Sequence, residues 1–151
     1  MVKDTTNEEK GYAKINLALH VTGIQADGYH ALDSIVVFTD VSDRLFFKSS
    51  SKNVVTLRGE FSKSINVREN SILQALRLFG NGLTDRFSIN LEKNLPIGAG
   101  LGGGSADAAA VIRFITNNRK HLMPSFEALS KIGADIPACV LSVVSKVGGI
   151  G

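Results

Sequence analysis

Cysteine is almost missing from this chain, with Cys139 standing alone among 151 residues. No internal disulfide can form, and a reducing compartment such as the cytoplasm is the expected setting. Long apolar runs are missing too. The stretches Ser34–Phe38 and Ile136–Val144 are short or broken by polar residues, far from the roughly 20 residues that a membrane-crossing helix needs. The opening MVKDTTNEEKGY has no apolar centre of the kind a secretory signal carries, so neither export nor a membrane is expected. Charge of one sign is scarce, since 17 Lys and Arg face 14 Asp and Glu for a net +3. No basic cluster is interleaved with aromatics, so nucleic acid is not an expected partner. A small molecule carrying a few phosphates suits the slight excess better. There is no internal repeat or low-complexity tract, and nothing speaks to oligomeric state. What remains is 44% hydrophobic and 21% charged, the balance of one domain able to bury its own core.

Residues 1–10 read as a polar leader and 11–151 as the domain. From Ala13 the pattern alternates, with Ala13, Ile15, Leu17, Leu19 and Val21 facing one way. Lys14, Asn16, Ala18 and His20 face the other, which predicts a half-buried strand. Gln25–Gly28 supplies a turn, and Leu32–Phe38 reads as a second strand. Asp43 starts another turn, with strands expected at Arg44–Lys48 and Val54–Leu57. Asn70 is placed to cap a helix whose apolar stripe is Ile72, Leu73, Leu76 and Phe79 and whose stop is Gly80. Phe87–Leu91 alternates again. Helices are expected at Ser105–Thr116 and at Ser125–Lys131, the latter ending at Gly133. Ser145–Gly151 reads as a glycine turn with no closing element, which implies a chain that stops short of its natural end. This mixture predicts an α+β class.

The segment Leu95-Pro96-Ile97-Gly98-Ala99-Gly100-Leu101-Gly102-Gly103-Gly104-Ser105 is the densest in chemical meaning. Glycines let backbone N–H groups converge on one point, and the helix start behind them adds partial positive charge. Together they suit a phosphate. Gly98, Gly100 and Gly103 formally satisfy the dinucleotide-binding spacing, but no strand ending in an acidic residue follows the helix. A Walker loop would place lysine where Gly104 stands. The signatures of protein kinases, H-R-D and D-F-G, are absent as well.

The run from Pro96 to Ser105, continued by Ala106-Asp107-Ala108-Ala109, resembles the central motif of the GHMP kinase superfamily. The resemblance implies a loop that wraps the phosphates of ATP with Pro96, Gly98, Ala99, Gly100, Leu101, Gly102, Gly103, Gly104 and Ser105. Ser105 would contribute to the environment of the phosphates and the accompanying Mg2+. No metal ligand is assigned among the side chains. The neighbouring serine of many members is Ala106 here.

Two further segments resemble the same family. On local chemistry alone, Lys14 is the solvent side of a strand and Asp135 a turn residue before Pro137. Ala13-Lys14-Ile15-Asn16-Leu17 and Gly133-Ala134-Asp135-Ile136-Pro137 nevertheless resemble the segments that carry the family's catalytic pair. By that resemblance Asp135 takes the proton of the acceptor hydroxyl, Lys14 holds the carboxylate ionised, and Asn16 faces the acceptor. Tyr12 stands where proline is commonest. Ala26-Asp27-Gly28-Tyr29-His30 resembles a branch whose acceptor is a cytidylated methylerythritol, phosphorylated at its 2-hydroxyl on the non-mevalonate route to isoprenoid precursors. Tyr29 would stack on the cytosine and His30 would bond its edge. Phe38 and Asp40 fit the same branch.

Lys93 and Asn70 match positions near the adenine and ribose. Glu92 and Asp107 read as solvated charge, and Cys139 as a small core residue. The fold implied is the superfamily's N-terminal domain, similar to the second domain of ribosomal protein S5, with its C-terminal domain absent from this chain. Such a piece is expected to be nearly inactive alone. Two other readings stay open, namely another GHMP kinase acting on homoserine or mevalonate and a non-catalytic nucleotide- or RNA-binding fragment.

Overall fold

Two long strands organise the chain in the computed structural model, which describes residues 7–24, 30–64, 71–118 and 121–150. Strand β1 (Asn7–Ile24) pairs antiparallel with β2 (His30–Ser49). The pairing begins at Asn7↔Phe47, so residues 7–10, read as part of a leader, are the first rungs of the sheet. β2 also runs unbroken through Asp43, where a turn is expected from the sequence. The buried Asp43 carboxylate satisfies neighbouring backbone N–H groups instead of closing a turn of its own.

Strands β3 (Val54–Arg58) and β4 (Phe87–Glu92) are parallel, and helix α1 (Ser71–Arg77) lies in the connection between them. The order is β1-β2-β4-β3, and β5 (Ser145–Ile150) also pairs with β2. β4 and β5 share one edge of β2, β4 taking residues 44–49 and β5 residues 31–36. The segment read as a loose glycine turn is thus a strand, because the upper edge of β2 offers unpaired backbone groups that must find partners.

Helices α2 (Gly103–Asn118), α3 (Phe126–Ile132) and α4 (Ile136–Leu141) complete the fold. Ser125 caps α3 as its position predicts, accepting from the Ala128 N–H at 3.2 Å. No helix was expected at α4, yet Pro137 in its first turn is compatible with one, since those N–H groups have no intrahelical partner anyway.

The core lies between α2 and the sheet. Ala106, Ala108, Ala109 and Ala110 are buried on α2, and side chains this small let the helix approach closely. Phe114 stacks on Phe47 with ring centroids 3.8 Å apart, while Phe87 meets it edge-on at 5.5 Å. Phe87, Ile89 and Leu91 alternate inward along β4, all at 0% exposure. Each such side chain contributes about 1.5–3 kcal/mol through burial.

β1 does not alternate as its sequence reads. The register shifts between Tyr12 and Lys14, between Asn16 and Ala18, and between Val21 and Gly23. Leu17 and Thr22 are each an extra residue opposite none on β2, which is a bulge that re-aims the side chains beyond it. Ala13 and Lys14 are consequently both buried, whereas Leu17, Leu19 and Val21 are exposed.

Candidate active site

The irregularity of β1 puts Lys14 on the inner side of the sheet. Its side chain is about 5% exposed, with Nζ donating to Asn16 Oδ1 at 2.7 Å and lying 3.3 Å from Asp135 Oδ1. Lysine is therefore not the solvent side of an amphipathic strand. Asp135 occupies the N-cap position of α4 without bonding the helix through its side chain. Its carboxylate is left facing outward and remains about 42% exposed.

The glycine loop closes over this pair. The Lys14 N–H donates to the Leu101 carbonyl at 2.9 Å, and Ala106 N–H to the Gly102 carbonyl at 2.8 Å. Gly98, Gly100 and Gly102 adopt φ of 72°, 72° and 66°, values that side chains resist. Gly102 also borders the pair directly, since an added Cβ would stand 3.4 Å from Lys14 Cε and 3.6 Å from Asp135 Oδ2, in van der Waals contact with both. At Gly98 and Gly100 a Cβ would meet nothing within 4 Å, so there the loop borders open space. A loop of left-handed glycines opening into α2 has the backbone form that suits an anion.

Beside it lies a cleft of about 520 Å³. Lys14, Asn16, Ser34, Ser105, Ser130 and Asp135 supply its polar side chains, and Leu19, Leu32, Val36 and Val147 its apolar wall. The structure brings Lys14, Asn16, Asp135, Gly100 and Ser105 to one place. Leu19 joins Asn16 at the cleft only because of the intervening bulge at Leu17, which no sequence periodicity displays.

Other expected site residues fall elsewhere. Asn70 and Tyr29 lie outside the described residues, and for His30 only the backbone is described, as the first residue of β2. Lys93 is neither a solvated lysine nor open to a nucleotide. It is 3% exposed, and its ammonium pairs with Asp43 and Asp107. Asp107 is likewise buried rather than surface charge. Sequence reasoning missed this network, although a lone aspartate within a run of buried helical alanines is a visible anomaly. Burial, opposed by the Lys93 charge, pushes the Asp107 carboxyl up to about 8. Burial also pushes the Cys139 thiol up to about 12, which removes its thiolate at neutral pH.

Among the described residues no three of His, Cys, Asp and Glu converge as a metal site. A magnesium ion carried by phosphates needs only one or two protein oxygens, and the Ser105 hydroxyl at the cleft fits that limited demand.

Comparison with known proteins places the fold in a family. The family profile described as "GHMP kinases N terminal domain" matches residues 70–148. The chain is 46% identical over 152 residues to 4-diphosphocytidyl-2-C-methyl-D-erythritol kinase of Rhizobium johnstonii, covering 95% of this chain and 50% of that one. It is 40% identical over 140 residues to the protein of the same name from Cereibacter sphaeroides, covering 92% and 49%. The crystal structure of a 4-(cytidine 5'-diphospho)-2C-methyl-D-erythritol kinase superposes with a TM-score of 0.78 at 33% identity, covering 95% of this chain and 52% of the other. The mevalonate kinase of Methanococcus jannaschii shares the fold, with a TM-score of 0.56 at 17% identity. The chain spans about half the length of the curated relatives it matches.

Proposed function

The chain belongs to the GHMP kinase family, and from that premise we propose that the complete protein transfers the γ-phosphoryl group of ATP to the 2-hydroxyl of 4-diphosphocytidyl-2-C-methyl-D-erythritol. The observation that carries this reading is the Lys14–Asp135 pair, 3.3 Å apart, at the junction of the glycine loop and the cleft. Phosphoryl transfer asks for alignment and charge compensation more than for covalent chemistry. Asp135, partly exposed, accepts the proton of the acceptor hydroxyl as its oxygen attacks. Lys14 lies beside that carboxylate and offsets the charge that develops during transfer. Asn16 fixes the direction of the ammonium through its 2.7 Å bond.

The loop N–H groups from Gly98 to Ser105 hold the nucleotide phosphates, and Ser105 orients the outermost of them. Mg2+, when bound with the nucleotide, supplies further neutralisation of the phosphate oxygens. Lys93 has no part in nucleotide contact, since both of its partners are carboxylates. Tyr29 and His30 are the residues proposed to recognise the cytosine, by stacking and by a bond to its edge. The names of the relatives that cover nearly all of this chain support the cytidylated acceptor over homoserine or mevalonate. In the complete protein, ATP-dependent phosphorylation should be fast with the cytidylated diol and at background with mevalonate and homoserine. Comparable rates on all three would overturn the assignment.

A further inference from the structure

Three ionisable groups buried behind the glycine loop have no part in the reaction proposed above. Asp43 is 0% exposed, and Lys93 and Asp107 are each 3% exposed. Lys93 Nζ donates to Asp43 Oδ2 at 2.5 Å and to Asp107 Oδ2 at 2.8 Å. Two carboxyl groups enclose the one ammonium and take its hydrogen bonds, so the cluster does not present a cation that draws a polyphosphate toward the loop. Nor is it explained as stabilisation, because buried ion pairs are often matched or bettered by apolar residues of similar volume. Asp107 Oδ1 moreover has no hydrogen-bond partner among the described residues, an arrangement that costs stability.

What the cluster does have is position. Asp43 Oδ1 accepts from the N–H groups of Asn94 at 2.6 Å and Leu95 at 2.8 Å, which fixes the backbone just before Pro96. Asp107 sits near the start of α2, where the chain leaves the loop. Between them, Lys93 Nζ would lie only 3.1 Å from a Cβ placed on Gly103. The backbone of Lys93 is itself pinned, its N–H donating to the Arg58 carbonyl at 2.8 Å and its carbonyl accepting from Phe61 at 3.4 Å. Gly11 leaves room for β1 to pass over the cluster, since a Cβ there would stand 3.0 Å from Asp107 Oδ1.

We infer that Lys93 is a positioning residue for the glycine loop, its ammonium tying the residues before the loop to the helix after it through Asp43 and Asp107. The convergence of the loop N–H groups, and with it the affinity for polyphosphate, depends on this tie although none of the three side chains touches ligand. The inference rests on reading the loop as the phosphate cradle.

The test uses the complete protein with ATP and, as a probe free of adenine, tripolyphosphate. Asp107→Ala cuts the tie to α2 and leaves Lys93 paired with Asp43, so no buried cation is stranded. Calorimetry should then show both ligands binding roughly ten-fold more weakly, as displaced binding groups do. KM for ATP should rise in parallel, while kcat and the acceptor KM change little. Hydrogen exchange at residues 98–103 should accelerate without nucleotide. Asp107→Asn, which keeps an acceptor for Lys93, should restore most of the affinity.

A folded Asp107→Ala protein with unchanged ligand affinity and unchanged loop exchange would overturn the inference, as would a uniform loss in kcat and both KM values. If Asp107→Ala does not fold, Lys93→Met combined with Asp43→Asn and Asp107→Leu removes every charge of the cluster together, while the introduced asparagine keeps an acceptor for the Asn94 and Leu95 N–H groups, and wild-type affinity in that variant would overturn it equally. If wild type binds neither ligand, the phosphate-cradle reading fails instead. Loop exchange in the Asp107 variants still decides whether the tie holds the loop.

Discussion

Lys14 Nζ lies 3.3 Å from Asp135 Oδ1, although the first residue belongs to β1 and the second to the head of α4. The two meet because β1 is irregular there and because Asp135 does not turn its carboxylate back onto its own helix. One member is buried and the other is half open. The buried cation has a fixed place, and the exposed carboxylate remains reachable by a hydroxyl.

Removing only the basicity of Asp135 should separate chemistry from binding. Asp135→Asn keeps the shape and is expected to lower kcat by about 10²-fold or more, the scale of a lost general base. ATP affinity measured by calorimetry should stay near wild type. Lys14→Met should lower kcat comparably and also reduce thermal stability, since Lys14 is buried and bonded to Asn16 at 2.7 Å.

The glycines of the loop should not be equivalent. Gly98→Ala and Gly102→Ala both force a side chain onto a left-handed φ, a cost of about 1–2 kcal/mol. Only at Gly102 does the new Cβ also come into contact with Lys14 and Asp135, so the strain of the backbone is passed to that pair. Gly102→Ala is therefore expected to lower kcat as well as nucleotide affinity, and Gly98→Ala to affect affinity alone. Steady-state kinetics on the two variants would distinguish the effects, and matching kcat values would contradict this account.

Much of this was legible in the sequence, and the reasons differ by element. β4 obeys its alternation because Phe87, Ile89 and Leu91 meet one flat helical layer. The loop was legible because glycine density at a helix start has few other uses. Lys14 and Asp135 were assigned through resemblance, since neither stands out locally. The inward turn of Lys14, the place of Leu19 in the cleft and the unbroken passage of β2 through Asp43 were not legible. Bulges and buried charge clusters are fixed by partners distant in sequence, and no local window contains both halves.

Recognition of the acceptor should depend on the segment between β1 and β2. In the complete protein, Tyr29→Ala and His30→Ala are expected to raise the acceptor KM at least about 10-fold, the worth of roughly 1.4 kcal/mol, with the ATP KM little changed. Equal effects on both substrates would count against a role in reading the cytosine.

Cys139 should be chemically silent while the protein is folded. It is buried, and its thiol is held up near 12 by that burial. A thiol reagent at neutral pH is expected to leave the native protein unlabelled and to modify one site per chain after denaturation. Rapid native labelling would show that α4 opens readily.

Stability should fall as pH rises through the neutral range, because of Asp107. Most salt-bridged carboxylates behave the other way, having folded pKa values below their unfolded ones. Asp107 is buried so deeply, and so near a second carboxylate, that its folded value is raised to about 8 from an ordinary 3.8. Between those limits the folded state holds a proton that the unfolded state has released. Its contribution to stability therefore declines with rising pH, by up to about 1.4 kcal/mol per unit, and levels off above the folded value. Lys93 moderates the effect without reversing it, since burial is the larger influence on Asp107. Asp107→Asn cannot titrate and should lose this slope. Urea unfolding of both proteins at pH 5, 6.5 and 8 would show the variant gaining on wild type as pH rises. If the difference stayed constant or shrank, Asp107 would be an ordinary ionised partner of Lys93, and its unpartnered oxygen would need another explanation.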